Sequence, residues 1–348
     1  MRIAVDAMGG DFAPAAPVEG ALRAHRELGL DVLLVGHRDR VRGALRDLGA
    51  PDALPIHHAP EVVAMGDPPH APIRRLVGAS IRLALELLKS RDVSAVVTSG
   101  HTGAAVTTAY FLLGPLPGVD RPAIATRLPT LAGMSVLLDV GAYLSCKPFH
   151  LLQFAVMGRA YAQAILERDD PSVGLLSIGE EEGKGNALTR EAYKLLRASA
   201  LRFTGNVDAR DVFRGLADVL VCEGFVGNVA LKLGEGLAGT IHTLLERETS
   251  RDFLSRLGSR LLRPALRRVH ALLDETEYGG GPLLGVRGVV VIAHGRASGK
   301  AIKNAIRVAA QCAEHSLPQR VADSLPAFGV VSPPKTVEAS PGRLEGQP

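Results

Sequence analysis

The chain has 348 residues, of which 47% are hydrophobic and 22% charged, and its formal net charge is +4. That composition supplies a sizeable core and excludes an intrinsically disordered protein. Aromatic residues make up only 4%, so stacking platforms are few and the composition argues against a general nucleic-acid surface.

No segment of the sequence has the pattern of an export signal or of a membrane span. A strand pattern already begins at Arg2, and no apolar run reaches the roughly 18 residues of a spanning helix. Three widely spaced cysteines, Cys146, Cys222 and Cys312, fit reduced packing residues better than disulfides or a zinc site. We therefore expect a cytoplasmic protein without a structural metal.

The first strand, Arg2 to Val5, leads into the glycine loop D-A-M-G-G-D and then a helix. Asp6, Gly9 and Gly10 are candidate substrate-binding residues, because glycines let the backbone approach a ligand. Aspartates in such a loop equally suit helix capping.

Further along, a strand is expected over 31–35 and a long helix over 72–89. The apolar run 93–98 ends in a second loop of small and polar residues that opens a helix rich in small side chains. Such groups allow a phosphate or carbonyl to approach the backbone closely. The candidates in this loop are Gly100, His101, Thr102 and Gly103.

A strand over 173–178 is followed by the loop G-E-E-E-G-K-G-N and a helix reaching about Ala200. Lysine near a helix start is disfavoured by the helix dipole, so Lys184 between Gly183 and Gly185 indicates a bound anion. Asn186 closes the loop. The alternative interpretation of Lys184 is a solvated surface lysine without a bound anion.

The stretch 218–236 repeats the pattern with C-E-G-F-V-G-N-V after an apolar run. Gly227 lets the backbone turn, and Asn228 stands at the first turn of the next helix, where free N–H groups favour an anion. The last strand, 289–293, ends in His294, and the helix after it carries Lys303. Candidate groups thus follow strand after strand, and we expect them at one carboxyl edge of a parallel sheet.

A basic helical segment lies between these last two motifs. Residues 244–273 are expected to form a hairpin, within an insertion over about 240–276, that bends at Gly258 and Pro264. Its apolar face and arginines predict reversible docking on an anionic membrane, and the alternative is a helix pair packed in a dimer. The docking candidates are Leu254, Leu257, Leu261, Leu266, Arg260 and Arg267. Beyond residue 325 the composition predicts a disordered tail, so one domain is expected over 1–325.

Several motifs in order resemble one family. They are D-A-M-G-G-D at 6–11, S-I-G-E-E-E-G-K-G-N at 177–186, G-N-V at 205–207, C-E-G-F-V-G-N-V-A-L-K at 222–232, Y-G-G-G-P-L-L-G at 278–285, and A-H-G with K-A-I-K-N-A at 293–305. They resemble bacterial acyl-carrier-protein:phosphate acyltransferases of phospholipid synthesis, the PlsX type. Asparagine is usual in that family at the positions of His101 and Tyr143, and aspartate at the position of Ser145. These departures mean either rebuilt substrate contacts or reduced activity.

The resemblance implies a Rossmann-like α/β/α sandwich with a mainly parallel sheet, related to phosphotransacetylases and isopropylmalate dehydrogenases. It implies a homodimer that makes acyl phosphate from acyl-carrier protein and inorganic phosphate, needs no cofactor and feeds a membrane glycerol-3-phosphate acyltransferase. On that interpretation Lys184 holds phosphate, while Asn186, Asn228 and His294 act on the carbonyl or its oxyanion. The alternatives are a phosphotransacetylase that uses acyl-coenzyme A, and a membrane-associated scaffold for the carrier.

Overall fold

The computed structural model describes residues 1–330, apart from the side chains of His270 and Glu275. Within that range the strands form one eleven-stranded sheet with the order β3-β2-β1-β4-β11-β10-β5-β6-β9-β7-β8. The strands are β1 (Arg2–Asp6), β2 (Asp31–Gly36), β3 (Ile56–His58), β4 (Ala95–Thr98), β5 (Ala123–Thr130), β6 (Gly133–Leu138), β7 (Val173–Ser177), β8 (Phe203–Asp208), β9 (Val219–Val221), β10 (Gly281–Leu284) and β11 (Val289–Ile292).

Helices cover both faces of the sheet, which confirms the α/β/α class. One core contains the fully buried Phe154 and Tyr161, and the other lies under the helix that carries Leu85. The α-helices are α1 (Ala15–Leu28), α2 (Arg38–Asp47), α3 (Ala71–Arg74), α4 (Ser80–Lys89), α5 (Thr102–Leu113), α6 (Pro148–Ile165), α7 (Ala187–Ala198), α8 (Gly224–Thr249), α9 (Phe253–Leu273), α10 (Gly299–Glu314) and α11 (Leu317–Ser324). Short 3-10 helices span Ala209–Arg214, Glu275–Glu277 and Pro326–Phe328.

The strands of the two halves of the sheet run in opposite directions. Neighbouring strands are parallel except around β10 and β5, where β10 is antiparallel to both β11 and β5, and β5 is antiparallel to β6. Strands β1 to β4 and β11 therefore end at one edge, called edge A, and β6 to β9 end at the opposite edge, called edge B. The expectation of a single carboxyl edge is wrong. Strands of four to six residues separate the two edges by about 13–20 Å.

The helix expected over 72–89 is interrupted. It consists of α3 and α4, because Gly78 and Ala79 between them are drawn to the chain at Glu61. Ala79 forms an isolated parallel bridge with Glu61. The Gly78 N–H donates to Glu61 Oε2 at 2.7 Å. The intervening backbone is thus paired outside a helix.

The helical hairpin begins earlier and turns elsewhere than the sequence predicts. Its first helix, α8, starts at Gly224, and the turn occupies residues 250–252. Asp252 caps α9 by accepting from the Ser255 N–H at 2.8 Å, and this bond is the main reason that its pKa is lowered. Pro264 lies inside α9, so the predicted bend at Gly258 and Pro264 is wrong. No helix within residues 1–330 has the length and apolar content required to span a bilayer.

The carboxyl end of the described chain packs against the fold. Pro326–Phe328 forms a 3-10 turn, and Val330 is 1% exposed. The disordered tail predicted from residue 326 is therefore wrong for residues 326–330. Residues 331–348 lie outside the described part of the chain.

The start of α8 is pressed against the end of β6. A methyl group at Gly227 would lie 1.9 Å from the Asp139 carbonyl oxygen, and one at Gly224 would lie 2.5 Å from Asp139 Oδ2. Only glycine permits this approach, because any Cβ would overlap these atoms. The first turn of α8 therefore holds its position relative to edge B.

Replacing Gly227 with alanine should destabilise the protein, because either α8 or the backbone at Asp139 must move. Overpacking of this kind costs about 1–3 kcal/mol in the free energy of unfolding. Gly236 lies in the same helix with no atom within 4 Å of its added methyl group. Gly236→Ala should be neutral or up to about 1 kcal/mol stabilising. Urea unfolding of both variants at one protein concentration measures the difference, and equal midpoints would contradict this packing.

Candidate functional site

At edge A the loops after β1, β4 and β11 pack directly on one another. The Ser99 hydroxyl donates to the Gly9 carbonyl at 2.8 Å, and the Asp11 N–H donates to the Gly295 carbonyl at 2.8 Å. A methyl group at Gly9 would lie 2.7 Å from the Gly100 nitrogen, and Gly10 has a φ of +95°. Close packing of the loops is therefore sufficient to explain Gly9 and Gly10.

Asp6 is a buried carboxylate that joins three elements at edge A. It accepts hydrogen bonds from the Ser80 hydroxyl at 2.6 Å, the Thr98 hydroxyl at 2.7 Å and the Met8 N–H at 3.1 Å. Burial raises the pKa of Asp6, and these hydrogen bonds oppose the shift. With both oxygens engaged and the side chain 3% exposed, Asp6 holds the loops and the start of α4 together.

Two further candidates at edge A, His294 and Lys303, differ in whether their side chains are free to bind a ligand. His294 is exposed, and its Nδ1 accepts from the Arg296 N–H at 3.2 Å. Lys303 on α10 forms an ion pair with Glu27 at 2.7 Å. The hydrogen bond from Lys303 is the main cause of the lowered pKa of Glu27. His294 can meet a ligand, whereas the ammonium group of Lys303 is already paired.

Edge B is built around a second buried carboxylate, Asp139, directly after β6. Its oxygens accept from the N–H groups of Ile124 at 3.0 Å, Gly141 at 3.1 Å, Ala142 at 2.9 Å and Tyr143 at 3.0 Å. Burial raises the pKa of Asp139, and these hydrogen bonds oppose the shift. The loop 139–143 is therefore wrapped around one side chain. Sequence reasoning did not select Asp139 as a site residue, although it follows an apolar strand and lies two residues before Gly141.

Asn228 and Gly227 adjoin that loop. A methyl group at Gly141 would lie 2.8 Å from the Asn228 side-chain nitrogen, so the amide contacts the backbone after β6. Because β9 is next to β6 in the sheet, the first turn of α8 and the Asp139 loop form one continuous surface. Asn228 is half-buried beside this surface. It is the fifth residue of α8, so the expectation that it stands in the first turn is wrong.

The loop after β7 places Lys184 and Asn186 at the same edge. Lys184 is exposed, and its ammonium group makes no ion pair within residues 1–330. Asn186 caps α7 by accepting from the Thr189 N–H at 2.9 Å, which occupies its carbonyl oxygen. Gly185 has a φ of +97°, whereas Gly183 has open space around it. Of the two glycines, only Gly185 is required by the loop conformation.

Two cations at edge B were missed from the sequence. The Arg121 guanidinium lies 4.8 Å from the centre of the Tyr143 ring and donates to the Ser145 carbonyl at 2.6 Å. Lys147 precedes α6 and is exposed. Neither has a carboxylate partner in the described chain, and both contribute, after burial, to the lowered pKa of His150. Neither was selected as a site residue, because each precedes an element whose place at edge B depends on the strand reversal.

The remaining charges limit what edge B can bind. Glu180, Glu181 and Glu223 stand on the same loops, so the overall charge of the edge is small. An anion there must be held by particular groups, namely the unpaired cations and the free N–H groups at the starts of α7 and α8. Within residues 1–330 no three histidine, cysteine, aspartate or glutamate side chains are grouped to hold a metal ion.

The cysteine thiols are poor nucleophiles at neutral pH. Burial raises the pKa of Cys146 to about 11 and that of Cys312 to about 12. Burial also raises the pKa of Cys222 well above its usual value. Since the thiolate is the reactive form, covalent catalysis by these cysteines is disfavoured. Edge B can position and polarise a substrate, but it offers no activated thiol.

Comparison with known proteins identifies the family. The model described as fatty acid synthesis protein matches residues 1–320. The chain is 48% identical over 330 residues to the phosphate acyltransferase of Pelotomaculum thermopropionicum, covering 95% of this chain and 96% of that protein. It is 47% identical over 326 residues to the phosphate acyltransferase of Trichlorobacter lovleyi, covering 93% and 94%. The chain belongs to this fatty acid synthesis protein family.

Solved structures of low sequence identity share the fold. The EutD phosphotransacetylase from Staphylococcus aureus has a TM-score of 0.61 at 16% identity, with 90% of this chain and 94% of that chain covered. A branched-chain phosphotransacylase from Enterococcus faecalis has a TM-score of 0.57 at 14% identity, with 90% and 99% covered. At such identities they show the fold alone, and they agree with the expected relation to phosphotransacetylases.

His101, the first departure from the family pattern, has a clear structural role. Its Nδ1 accepts from the Ala104 N–H at 3.1 Å and caps α5, as an asparagine oxygen would. A methyl group at Gly103 would lie 3.1 Å from His101 Cε1 and 3.2 Å from Pro69 Cγ. The imidazole therefore replaces an amide cap and is held between these neighbours. Thr102 is the first residue of α5.

Tyr143 and Ser145, the other departures, are both held by Arg121. The guanidinium contacts the Tyr143 ring and binds the Ser145 carbonyl. Burial raises the pKa of Tyr143 to about 12, so its hydroxyl remains a donor at neutral pH. This side of edge B thus has an aromatic ring at position 143 and a hydroxyl at position 145 in place of the amide and carboxylate of the family pattern, and Arg121 contacts both residues.

The capping role predicts that His101→Asn keeps the stability of the protein and that His101→Ala lowers it. An asparagine oxygen can accept the same Ala104 N–H, whereas alanine leaves it without a cap at a cost of about 0.5–2 kcal/mol. The free energy of unfolding by urea measures both effects. An alanine variant as stable as the wild type would show that the imidazole does not serve as a cap.

Proposed function

We propose that this chain is a phosphate acyltransferase that converts acyl-carrier protein and inorganic phosphate into acyl phosphate and free carrier. Its relatives support the reaction, since proteins 46% to 48% identical over nearly the whole chain are named phosphate acyltransferase. The structural observation that carries the proposal is edge B, where cations without carboxylate partners lie beside two helix starts. The same relatives favour this reaction over a coenzyme A enzyme or a scaffold.

Phosphate is itself the nucleophile in this reaction. One phosphate oxygen attacks the thioester carbonyl carbon, and a carbon–oxygen bond forms while the carbonyl oxygen gains negative charge. The intermediate collapses with cleavage of the carbon–sulfur bond, and the carrier thiolate takes up a proton as it leaves. The enzyme has to position two substrates and stabilise an oxyanion, which requires fixed donors rather than a protein nucleophile.

Each group at edge B has a role on this proposal. Lys184, the N–H groups near Gly183 and Gly185, and Arg121 hold phosphate. Asn228 and the free N–H groups in the first turn of α8 face the thioester carbonyl, and Asn186 acts by fixing the start of α7. The Gly227 N–H itself donates to the Glu223 carbonyl at 2.9 Å. The raised cysteine pKa values are consistent with direct attack by phosphate.

Edge A, at the opposite end of the strands from Lys184, holds the other candidates. We assign Gly100, Thr102 and His294 to a part of the substrate remote from the reacting carbonyl. Asp6, Gly9, Gly10, His101, Gly103 and Lys303 already have structural partners or packing roles in the fold, so they enter the proposal as supports for these loops.

Lys184→Ala should reduce kcat/KM for phosphate by roughly ten- to a hundredfold, the equivalent of losing a charge-assisted contact of about 1.5–3 kcal/mol. Lys184→Arg should restore only part of it, because the guanidinium has a different shape and donor geometry. Release of free carrier thiol from palmitoyl-carrier protein at varied phosphate concentration measures the effect.

A suitable control is Lys194→Ala, which removes an exposed lysine paired with Glu191 on α7. That variant should keep the phosphate dependence of the wild type. If Lys184→Ala also keeps it, Lys184 does not bind phosphate.

The hairpin offers two separate apolar faces for two partners. On α8, exposed residues recur every four positions, namely Phe225, Val229, Leu233, Leu237 and Ile241. On α9, Leu254 and Leu261 are 76% and 77% exposed. We assign the α8 row to a homodimer and the α9 face, with Arg260 and Arg267, to reversible docking on anionic membrane. Such docking would place acyl phosphate near a membrane glycerol-3-phosphate acyltransferase.

Changing Leu254, Leu257 and Leu261 to glutamate should abolish flotation with anionic vesicles while leaving the oligomeric state intact. Leu266 is only partly exposed and is left unchanged in this variant. Arg260→Gln with Arg267→Gln should weaken the free energy of binding to anionic vesicles by roughly 2 kcal/mol, at about 1 kcal/mol for each charge.

The matched variant carries Leu233→Glu and Leu237→Glu on α8. It should lose the dimer in light-scattering measurements. Loss of the dimer in the α9 variant, with unchanged vesicle binding, would instead assign α9 to the dimer interface.

A further inference from the structure

A basic pocket opens beside β4 and β11, at the ends where these strands begin. Its volume is about 450 Å³, and it is lined by Leu88, Lys89, Arg91, Val93, Ser94, Leu113 and Arg287. The lining combines an apolar part, Leu88, Val93 and Leu113, with three cationic side chains. Leu88 and Val93 are buried in the core, so the floor of the pocket is held by the fold.

Within residues 1–330, the three cations that line the pocket have no acidic partners. Arg287 is fixed by donating from Nε to the Pro115 carbonyl at 3.0 Å, which leaves its charge uncompensated. Lys89 and Arg91 are exposed and make no ion pair within residues 1–330. Asp92 is adjacent, and its carboxylate accepts from the Ser90 hydroxyl at 2.5 Å. The pocket therefore has an excess of positive charge above an apolar floor.

The reversal of strand direction places this pocket at edge B. Strands β4 and β11 begin where β6, β7 and β9 end. Four strand spacings separate β11 from β9, which precedes Asn228, and five separate it from β7, which precedes Lys184, or about 19 and 24 Å. Helix α5 links the two places, because Leu113 lines the pocket and Tyr110, one turn earlier, lies near Tyr143. After burial, Tyr110 is the next contributor to the raised pKa of Tyr143.

We propose that this pocket docks the acyl-carrier protein through an acidic part of the carrier surface, with the thioester arm directed along edge B towards Asn228 and Lys184. The inference rests on the proposed function, in which the acyl group arrives on a carrier protein. The carrier fits because its arm is attached through a phosphodiester, so the junction between protein and arm is anionic and can lie against the three cations. An apolar floor beneath a basic rim suits a protein surface better than a free ion.

The test reverses two charges that lie outside the reacting groups, as Lys89→Glu with Arg91→Glu. The expected result is a rise of about tenfold or more in KM for palmitoyl-carrier protein, with kcat and KM for phosphate unchanged. Opposed charges at a docking surface act mainly on encounter and on salt dependence. The wild-type KM for the carrier should therefore rise with salt, and that of the variant should change little.

The matched control is Arg42→Glu with Arg46→Glu on α2, which reverses two charges at exposed positions away from the pocket. It should behave as the wild type. Arg287→Gln should raise KM for the carrier by a smaller factor, since it removes one charge without reversing it. Palmitoyl-pantetheine, which has no carrier protein, should be used equally well by the wild type and by the double variant.

Several results would overturn the inference. An unchanged KM for the carrier in the double variant would reject the pocket as the docking surface. If the double variant lost as much activity with palmitoyl-pantetheine as with palmitoyl-carrier protein, the substitutions would act on the reacting groups and not on carrier docking. Loss of vesicle flotation in place of carrier binding would assign the pocket to lipid. Failure of the wild type to release carrier thiol with phosphate would reject the proposed function itself, which is a separate outcome.

Discussion

Each edge of the sheet is organised by one buried carboxylate that has no cation partner within residues 1–330. Asp6 is 3% exposed and Asp139 is 0% exposed, and each stands at the end of a strand where several loops meet. A buried charge is costly unless its lone pairs are satisfied. Hydroxyl and N–H donors therefore surround Asp6, and four backbone N–H groups surround Asp139. These donors can satisfy the carboxylates only in one arrangement of the loops.

The two carboxylates have the same linkage to pH. Burial raises the pKa of both, so the folded state binds their protons more tightly than the unfolded chain does. Their contribution to stability is fully present below the unfolded pKa and is lost as the pH rises through the raised value. The ionised forms of both side chains are therefore held in the fold at a cost in stability. Both aspartates lie against glycines, Asp6 against Gly9 and Asp139 against Gly224 and Gly227. In return for the cost in stability, the loops around the two side chains are held in a fixed geometry.

Reversal of strand direction in the middle of the sheet divides the candidate groups between two edges. The antiparallel pairs of β10 and β5 send the ends of β1, β4 and β11 to edge A and the ends of β6, β7 and β9 to edge B. The proposed phosphate groups and the basic pocket thereby share edge B, although Lys89 and Lys184 are far apart in the chain. The hairpin adds surfaces of its own, because α8 and α9 each expose an apolar row.

The sequence by itself determined the family, the α/β class, most strands and the loops that carry the candidate groups. It could do so because buried strands are short apolar runs, and glycine loops with polar residues follow them closely. It could not determine strand direction, since an apolar run has the same pattern whichever way it is paired. Nor did it distinguish Asn228, which contacts the Asp139 loop, from Asn186 and His101, which cap helices, because capping and ligand binding use the same atoms. Arg121, Lys147 and the cations around Arg287 carry no motif. Only the tertiary structure brought them to edge B, because contacts between distant strands and helices decide which side chains meet.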